Sequence, residues 1–114
     1  MFNLTVTKEI SAGHFLRDYS GPCANQHGHN YHLEVTFQCQ DDELDEHGFV
    51  IDCREAKEYL KRFDHVNLND LEEFKDKNPT MENLAVTIGK KLGAAIVLIK
   101  ENEGNECTWI NDEL

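Results

Sequence analysis

Basic residues are scarce in this chain. Eleven Lys and Arg stand against 22 Asp and Glu, leaving a formal net charge of −11 at pH 7. A nucleic-acid backbone is held by a basic surface, so that class of partner is excluded. A small anionic substrate is not, because a few local cations suffice to hold one. Long apolar runs are lacking too. The longest, Ala94 to Ile99, is bounded by Gly93 and Lys100 and falls well short of the ~18 residues of a membrane span. Met1 to Lys8 shows no basic stretch followed by an apolar one, so no export signal is expected there. The four cysteines, Cys23, Cys39, Cys53 and Cys107, form no C-x-x-C pair and no dense framework. Without an export signal, reduced thiols in a cytoplasmic protein are the expectation. No internal repeat or low-complexity segment breaks the chain.

What is present is enough for one domain spanning residues 1–114, with 39% hydrophobic and 29% charged residues. Phe2, Leu4 and Val6 alternate with Asn3, Thr5 and Thr7. That period of two predicts a strand running on towards Ile10 and His14, with a bulge on the way. Residues 17–26 carry the Asp, Ser, Gly, Pro and Asn of a loop. His27, His29, Tyr31, Leu33, Val35 and Phe37 then fall on odd positions, so one face of a second strand carries two histidines followed by four apolar groups. Ala56, Tyr59, Leu60 and Phe63 have helical spacing, and a helix over 54–63 is expected. Asn78-Pro79 excludes an earlier start for a second helix. Thr80 caps it, its apolar stripe is Leu84, Ala85, Ile88 and Leu92, and Gly93 ends it. Gly89 costs that helix roughly 1 kcal/mol relative to alanine. Residues 95–100 and 107–110 read as strands around a turn at Glu103-Gly104-Asn105. The order β-β-α-α-β-β predicts an α+β fold, a four-stranded antiparallel sheet with two helices on one face. Its open edges favour pairing with another copy.

Chemistry concentrates in a few of these places. On a strand, His27 and His29 point the same way with Cα atoms about 6.5–7 Å apart, near enough to share one metal ion. Suitable pairing of the first hairpin adds a nitrogen from His14. Three histidines with an open fourth position form the pattern of a catalytic zinc. Cys23, four residues before His27, is a fourth ligand, a base or nucleophile beside the ion, or a structural thiol. Asp64-His65 pairs a carboxylate with an imidazole, the ingredients of a proton relay. Glu101 closes the alternation Ala95, Val97, Ile99, at a solvated strand end or aimed into a pocket. His32 and His47 read as surface groups.

Together these residues carry a resemblance. Ser11-Ala12-Gly13-His14, Tyr19-Ser20-Gly21-Pro22-Cys23 and His27-Gly28-His29-Asn30-Tyr31 come first. Gly48-Phe49-Val50-Ile51-Asp52, Asp64-His65-Val66-Asn67-Leu68-Asn69 and Asn78 to Ala85 follow. In this order, over nearly the whole chain, they resemble the 6-pyruvoyl-tetrahydropterin synthase family, and within it the bacterial 6-carboxy-tetrahydropterin synthases. The resemblance implies the tunnelling fold, in which subunits join their sheets into a barrel, as trimers stacked into hexamers. It implies zinc on His14, His27 and His29, Cys23 as catalytic thiol, Asp64 and His65 as its proton-transfer partners, and Glu101 as the pterin anchor. Thr80 and Arg17 are further candidate substrate contacts, Arg17 for phosphate. The implied substrate is a pterin triphosphate, 7,8-dihydroneopterin triphosphate, and the implied pathway leads to queuosine. The short gap from Cys23 to His27 is that of the carboxy type. Asp52-Cys53 departs from the family's usual Asp-Phe, and Gly13 stands where Ala or Ser is usual. A pterin-binding homologue without turnover and a three-histidine zinc hydrolase are the competing expectations.

Overall fold

Thirteen consecutive residues of each of the first two strands pair without interruption. The computed structural model describes all 114 residues. In it β1 (Phe2–His14) runs antiparallel to β2 (His27–Cys39), from Phe2 opposite Cys39 to His14 opposite His27. The register is constant along the pair, so β1 holds no bulge. Lys8 keeps phase on the core side, half-buried opposite Leu33, a place that its long apolar stem tolerates.

The sheet continues through β4 (Ile96–Glu101) on β2 and β5 (Glu106–Ile110) on β4. It has five strands rather than four, in the order β3-β1-β2-β4-β5. The additional strand, β3 (Val66–Asn67), lies parallel to β1 at Ala12 and Gly13. Two residues carry no readable period, and what places them is tertiary: the His65 N–H donates to the Ser11 carbonyl at 2.6 Å just before the pairing begins.

Helix α1 (Cys53–Leu60) starts at Asp52, whose side chain accepts the Arg54 N–H. The expected helix tightens into a 3-10 turn over Lys61–Phe63. Helix α2 (Met81–Leu92) is capped by Thr80, which accepts the Asn83 N–H at 3.1 Å, and ends at Gly93 with φ 69°. Only glycine adopts that conformation without strain. Both helices pack on one face. Ala56, Leu60, Leu84, Ala85 and Ile88 join Val6, Ile10, Leu33, Val35, Val97 and Ile99 in a single buried cluster. Val6, Val35, Val97 and Trp109 form one cross-strand row.

Trp109 explains Gly89. A Cβ at Gly89 meets Trp109 Cζ3 at 2.1 Å, so the residue that weakens α2 by propensity is the one that lets β5 pack beneath it. Overpacking costs ~1–3 kcal/mol, against roughly 1 kcal/mol gained in helix propensity. Gly89→Ala is therefore expected to lower the urea midpoint; a rise would show that the ring moves aside freely.

The opposite face is polar. There His32 lies between two glutamates, its Nδ1 on Glu9 and its Nε2 2.8 Å from Glu34. The bonds to Glu9 first and Glu34 second raise its pKa above the ordinary value. A group titrating higher when folded contributes its full stability below the unfolded pKa of about 6.5 and loses it as pH rises through the folded value. The stability gap between the parent and His32→Gln should thus be wide at about pH 6 and narrow by about pH 9. An unchanged gap in denaturation curves at the two pH values would contradict this.

Candidate metal centre and active site

The β1–β2 register brings the three histidines together. His14 faces His27 across the pair, and His29, two residues along β2, sits opposite Ala12 on the same face. The ring centroids lie 4.6 Å apart for His14–His27, 5.0 Å for His14–His29 and 4.9 Å for His27–His29. One nitrogen from each falls within 4.8 Å of the other two.

Tautomers follow from the neighbours. His14 Nδ1 is 2.8 Å from the Pro79 carbonyl and His27 Nδ1 is 2.7 Å from the Asn25 carbonyl. A carbonyl only accepts, so each Nδ1 carries a hydrogen and each Nε2 is left with its lone pair. His14 Nε2 and His29 Nδ1 are buried without a hydrogen-bond partner. Burial holds the His14 pKa below its ordinary value, with His27 and His29 adding to the effect against the Pro79 bond. The ring is neutral at pH 7. Converging imidazoles, with the His14 Nε2 buried and unpaired, lack a shared electrophile, and a divalent zinc ion with three nitrogen ligands fits the donor set.

The same cavity, of about 270 Å³, is lined by Cys23, Thr80, Glu101 and Glu103 as well as the three histidines. Cys23 is exposed on a short 3-10 turn (Pro22–Ala24), whose Cys23 carbonyl accepts the Leu16 N–H at 2.9 Å. Its sulfur is not among the mutually close ligand atoms. The thiol therefore stands beside the nitrogen cluster and leaves its fourth side open. Glu101, half-buried at the end of β4, pairs in register with Tyr31. Thr80 borders the cavity while capping α2.

Two expected site groups lie elsewhere. Asp64 accepts the Ser11 N–H at 2.8 Å and lies 3.0 Å from His65 Nδ1. The Ser11 bond, then His65, holds the Asp64 carboxyl below its usual range. The pair exists as a unit, but neither member lines the cavity of the three histidines; His65 borders a second hollow with Ser11, Gly13, Gly28 and Asn30. Those four alternate with Ala12, His14, His27 and His29 along their strands, while Ala12 and His29 also edge this hollow. Arg17 is also displaced from its expected task. Its guanidinium donates to the carbonyls of Phe74 (2.8 Å), Lys77 (3.0 Å) and Asn69 (3.3 Å), pinning the loop before α2.

Other contributors had no distinct sequence signal. Tyr31 reads as one more apolar group on β2, yet its ring stands 5.5 Å from that of His29 and its hydroxyl is buried without a partner. Burial, with Glu101 and Glu103 adding to it, pushes the phenol well above its usual pKa, so it stays an O–H donor. The Pro79 and Asn25 carbonyls are backbone atoms, invisible to residue type.

A hairpin-borne three-histidine cluster with a free thiol and a carboxylate across one cavity, on an α+β sheet with two helices, has the donor set of a metal-dependent enzyme. Comparison with known proteins assigns the family. Residues 3–109 match 6-pyruvoyl tetrahydropterin synthase, and the chain belongs to that family. The 6-carboxy-5,6,7,8-tetrahydropterin synthase of Bacillus subtilis is 38% identical over 93 residues, covering 76% of this chain and 62% of that protein. The 6-pyruvoyl tetrahydrobiopterin synthase of Dictyostelium discoideum is 38% identical over 97 residues, covering 75% of this chain and 70% of its own length. The solved structure of Caenorhabditis elegans 6-pyruvoyl tetrahydropterin synthase superposes with a TM-score of 0.77 at 28% identity, covering 97% of this chain and 96% of that one. No helix of the chain is long and apolar enough to cross a membrane.

Zinc should raise the melting temperature of the parent chain, by about 2.7 kcal/mol of stability at a free concentration 100 times Kd. It should raise that of His27→Ala far less. Equal zinc-induced shifts in differential scanning fluorimetry would remove His27 from the ligand set.

Proposed function

We propose that this chain is a zinc-dependent carbon–carbon lyase. It converts 7,8-dihydroneopterin triphosphate, with uptake of water, to 6-carboxy-5,6,7,8-tetrahydropterin, acetaldehyde and triphosphate, a step towards queuosine. The observation that carries the reading is the shared cavity: Cys23 and Glu101 face the three-histidine cluster in a chain of this family. The Bacillus relative bears the name of the carboxy-type synthase.

His14, His27 and His29 would hold the ion. When bound, zinc supplies Lewis-acid stabilisation of negative charge developing on the substrate's side-chain oxygens. Cys23, as thiolate, takes a proton from the side chain. Glu101 accepts the parallel 2-amino and N3–H donors of the pterin edge, as a carboxylate accepts a guanidinium fork. Thr80 contributes to the cavity wall. Asp64 and His65 exchange protons with the intermediate, and they do so from a neighbouring copy. Two observations support a shared site. The Asp64–His65 pair is absent from the walls of the cavity that holds the three histidines. The cavity of about 270 Å³ is smaller than the ~300–1,000 Å³ typical of sites enclosing a drug-sized ligand. The working form is then a cytoplasmic homo-oligomer, a trimer or a hexamer of stacked trimers.

The first test is anaerobic incubation with 7,8-dihydroneopterin triphosphate and an assay for acetaldehyde. The parent should release it. Cys23→Ala, with its zinc retained, should lose at least ~10²-fold in rate. Undiminished turnover in that variant points to a metal-dependent hydrolase instead, and a product retaining the carbon chain points to the 6-pyruvoyl reaction named for the Dictyostelium relative. Binding without turnover by the parent points to a non-catalytic homologue.

Mixed oligomers give a second test. Cys23→Ala and His65→Ala, each inactive alone, should regain activity when unfolded and refolded together, because some sites then combine an intact thiol with an intact relay. A mixture that stays inactive while assembling normally contradicts the shared site.

A further inference from the structure

The three histidines do not have equivalent surroundings. Two of them give their Nδ1 hydrogen to a backbone carbonyl, Pro79 for His14 and Asn25 for His27. His29 has no such carbonyl. Its side chain is 6% exposed, its Nδ1 is buried and unpartnered, and the carboxylate of Glu103 stands 3.7 Å away. We propose that Glu103 is the outer partner of His29: it accepts the Nδ1 hydrogen when the ring binds the ion, and so positions the third ligand. The inference rests on the three histidines being a metal centre and goes beyond it by assigning a residue to the centre's support.

The local structure places Glu103 for this task. The turn after β4 is closed by Glu101 N–H on the Asn105 carbonyl (2.9 Å) and Gly104 N–H on the Glu101 carbonyl (3.2 Å). The turn is also fastened to β2 next to His29. Asn102 N–H donates to the Asn30 carbonyl at 3.0 Å, and Asn30 N–H donates to the Asn102 side-chain oxygen at 3.2 Å. The backbone is thus held on both sides, and Glu103, the next residue, hangs its carboxylate over the buried ring edge. The carboxylate itself is 65% exposed, so a small side-chain rotation closes 3.7 Å to hydrogen-bond length without moving packed atoms. A carboxylate is a stronger acceptor than a carbonyl, and an imidazole so bonded is a better electron donor. Glu101 shares the neighbourhood of His29, but its carboxylate is required by the pterin edge. Two acids in one turn therefore divide between ligand support and substrate.

Glu103, His29 and Glu101 also lie close enough to suggest an ion of their own. That reading requires His29 to give up both ring hydrogens and bridge two cations, and we set it as an outcome of the test. The experiment is zinc titration of the full-length protein against a competing chelator, with zinc stoichiometry measured in parallel. Glu103→Gln and Glu103→Ala should weaken zinc about 10–100-fold, with one ion bound throughout and the metal-free melting temperature unchanged. Glu103→Asp should recover part of the loss. Glu106→Gln removes an exposed acid from the end of the same turn, paired with Lys100, and should leave affinity as in the parent. Parent-like affinity in Glu103→Gln, or an equal loss in Glu106→Gln, overturns the positioning role. A fall from two ions to one on losing Glu103 overturns it in favour of a second cation site. A parent chain that binds no zinc overturns the metal centre itself, which keeps the two failures apart.

Discussion

The constraint on which the site depends is the register of one hairpin. Because β1 and β2 pair residue for residue from Phe2–Cys39 to His14–His27, the strand face that supplies Val6, Ile10, Leu33 and Val35 to the core delivers His14, His27 and His29 at its far end. A slip of one residue would turn every one of these groups to the other side of the sheet. The apolar half of the pair thus fixes the chemical half. Burial of the aliphatic row selects one register among the alternatives, and the nitrogens converge as a consequence. The helix layer completes the arrangement: Pro79, just before α2, presents the carbonyl that sets the His14 tautomer.

Much of this was legible in the sequence because it is periodic. The odd-position run from His27 to Phe37 identified the buried face of β2, and Thr80 with Gly93 bracketed α2 to the residue. What escaped has a physical reason in each case. Val66–Asn67 became a strand through a hydrogen bond to a residue 54 positions earlier in the chain, which no local pattern encodes. Gly89 looked like a weakness of α2 until Trp109 was found against it. Arg17 looked like a phosphate ligand because a guanidinium in a loop is a good one, but the neighbouring loop before α2 offers three carbonyls that need donors. His32 read as a surface group, and its engagement with Glu9 and Glu34 arises from cross-strand pairing and a same-face neighbour on β2.

Asp64 and His65 stand apart from the histidines because of where they are anchored. The Ser11 N–H that holds the Asp64 carboxylate lies on the edge of β1 that pairs with β3, and neither Asp64 nor His65 lines the cavity of the three histidines. The pairing of Val66–Asn67 with β1 gives the pair a rigid base, and His65 enters it at φ 57°, a conformation sparsely used by residues with a side chain. Strain of this kind persists where surrounding bonds over-determine it, and here the Ser11 carbonyl and N–H hold both members of the pair.

Charge bears on the proposed ion and the proposed second copy. The cavity wall holds Glu82, Glu101 and Glu103 and no lysine or arginine, in a chain whose acidic residues outnumber basic ones two to one. A polyphosphate entering alone would meet only carboxylates. Two unit charges 4 Å apart interact by about 4 kcal/mol at an effective dielectric constant of 20, so each uncompensated contact of that kind would outweigh several neutral hydrogen bonds. Since Arg17 is committed to the loop beside it, the proposed reading places the compensating positive charge on a divalent ion held by the three imidazoles. The same reading sends the phosphates outward, to cations of a neighbouring copy, because the wall of this cavity offers none. On that proposal the carboxylate that anchors the pterin and the cations that receive its phosphates come from different copies of the chain.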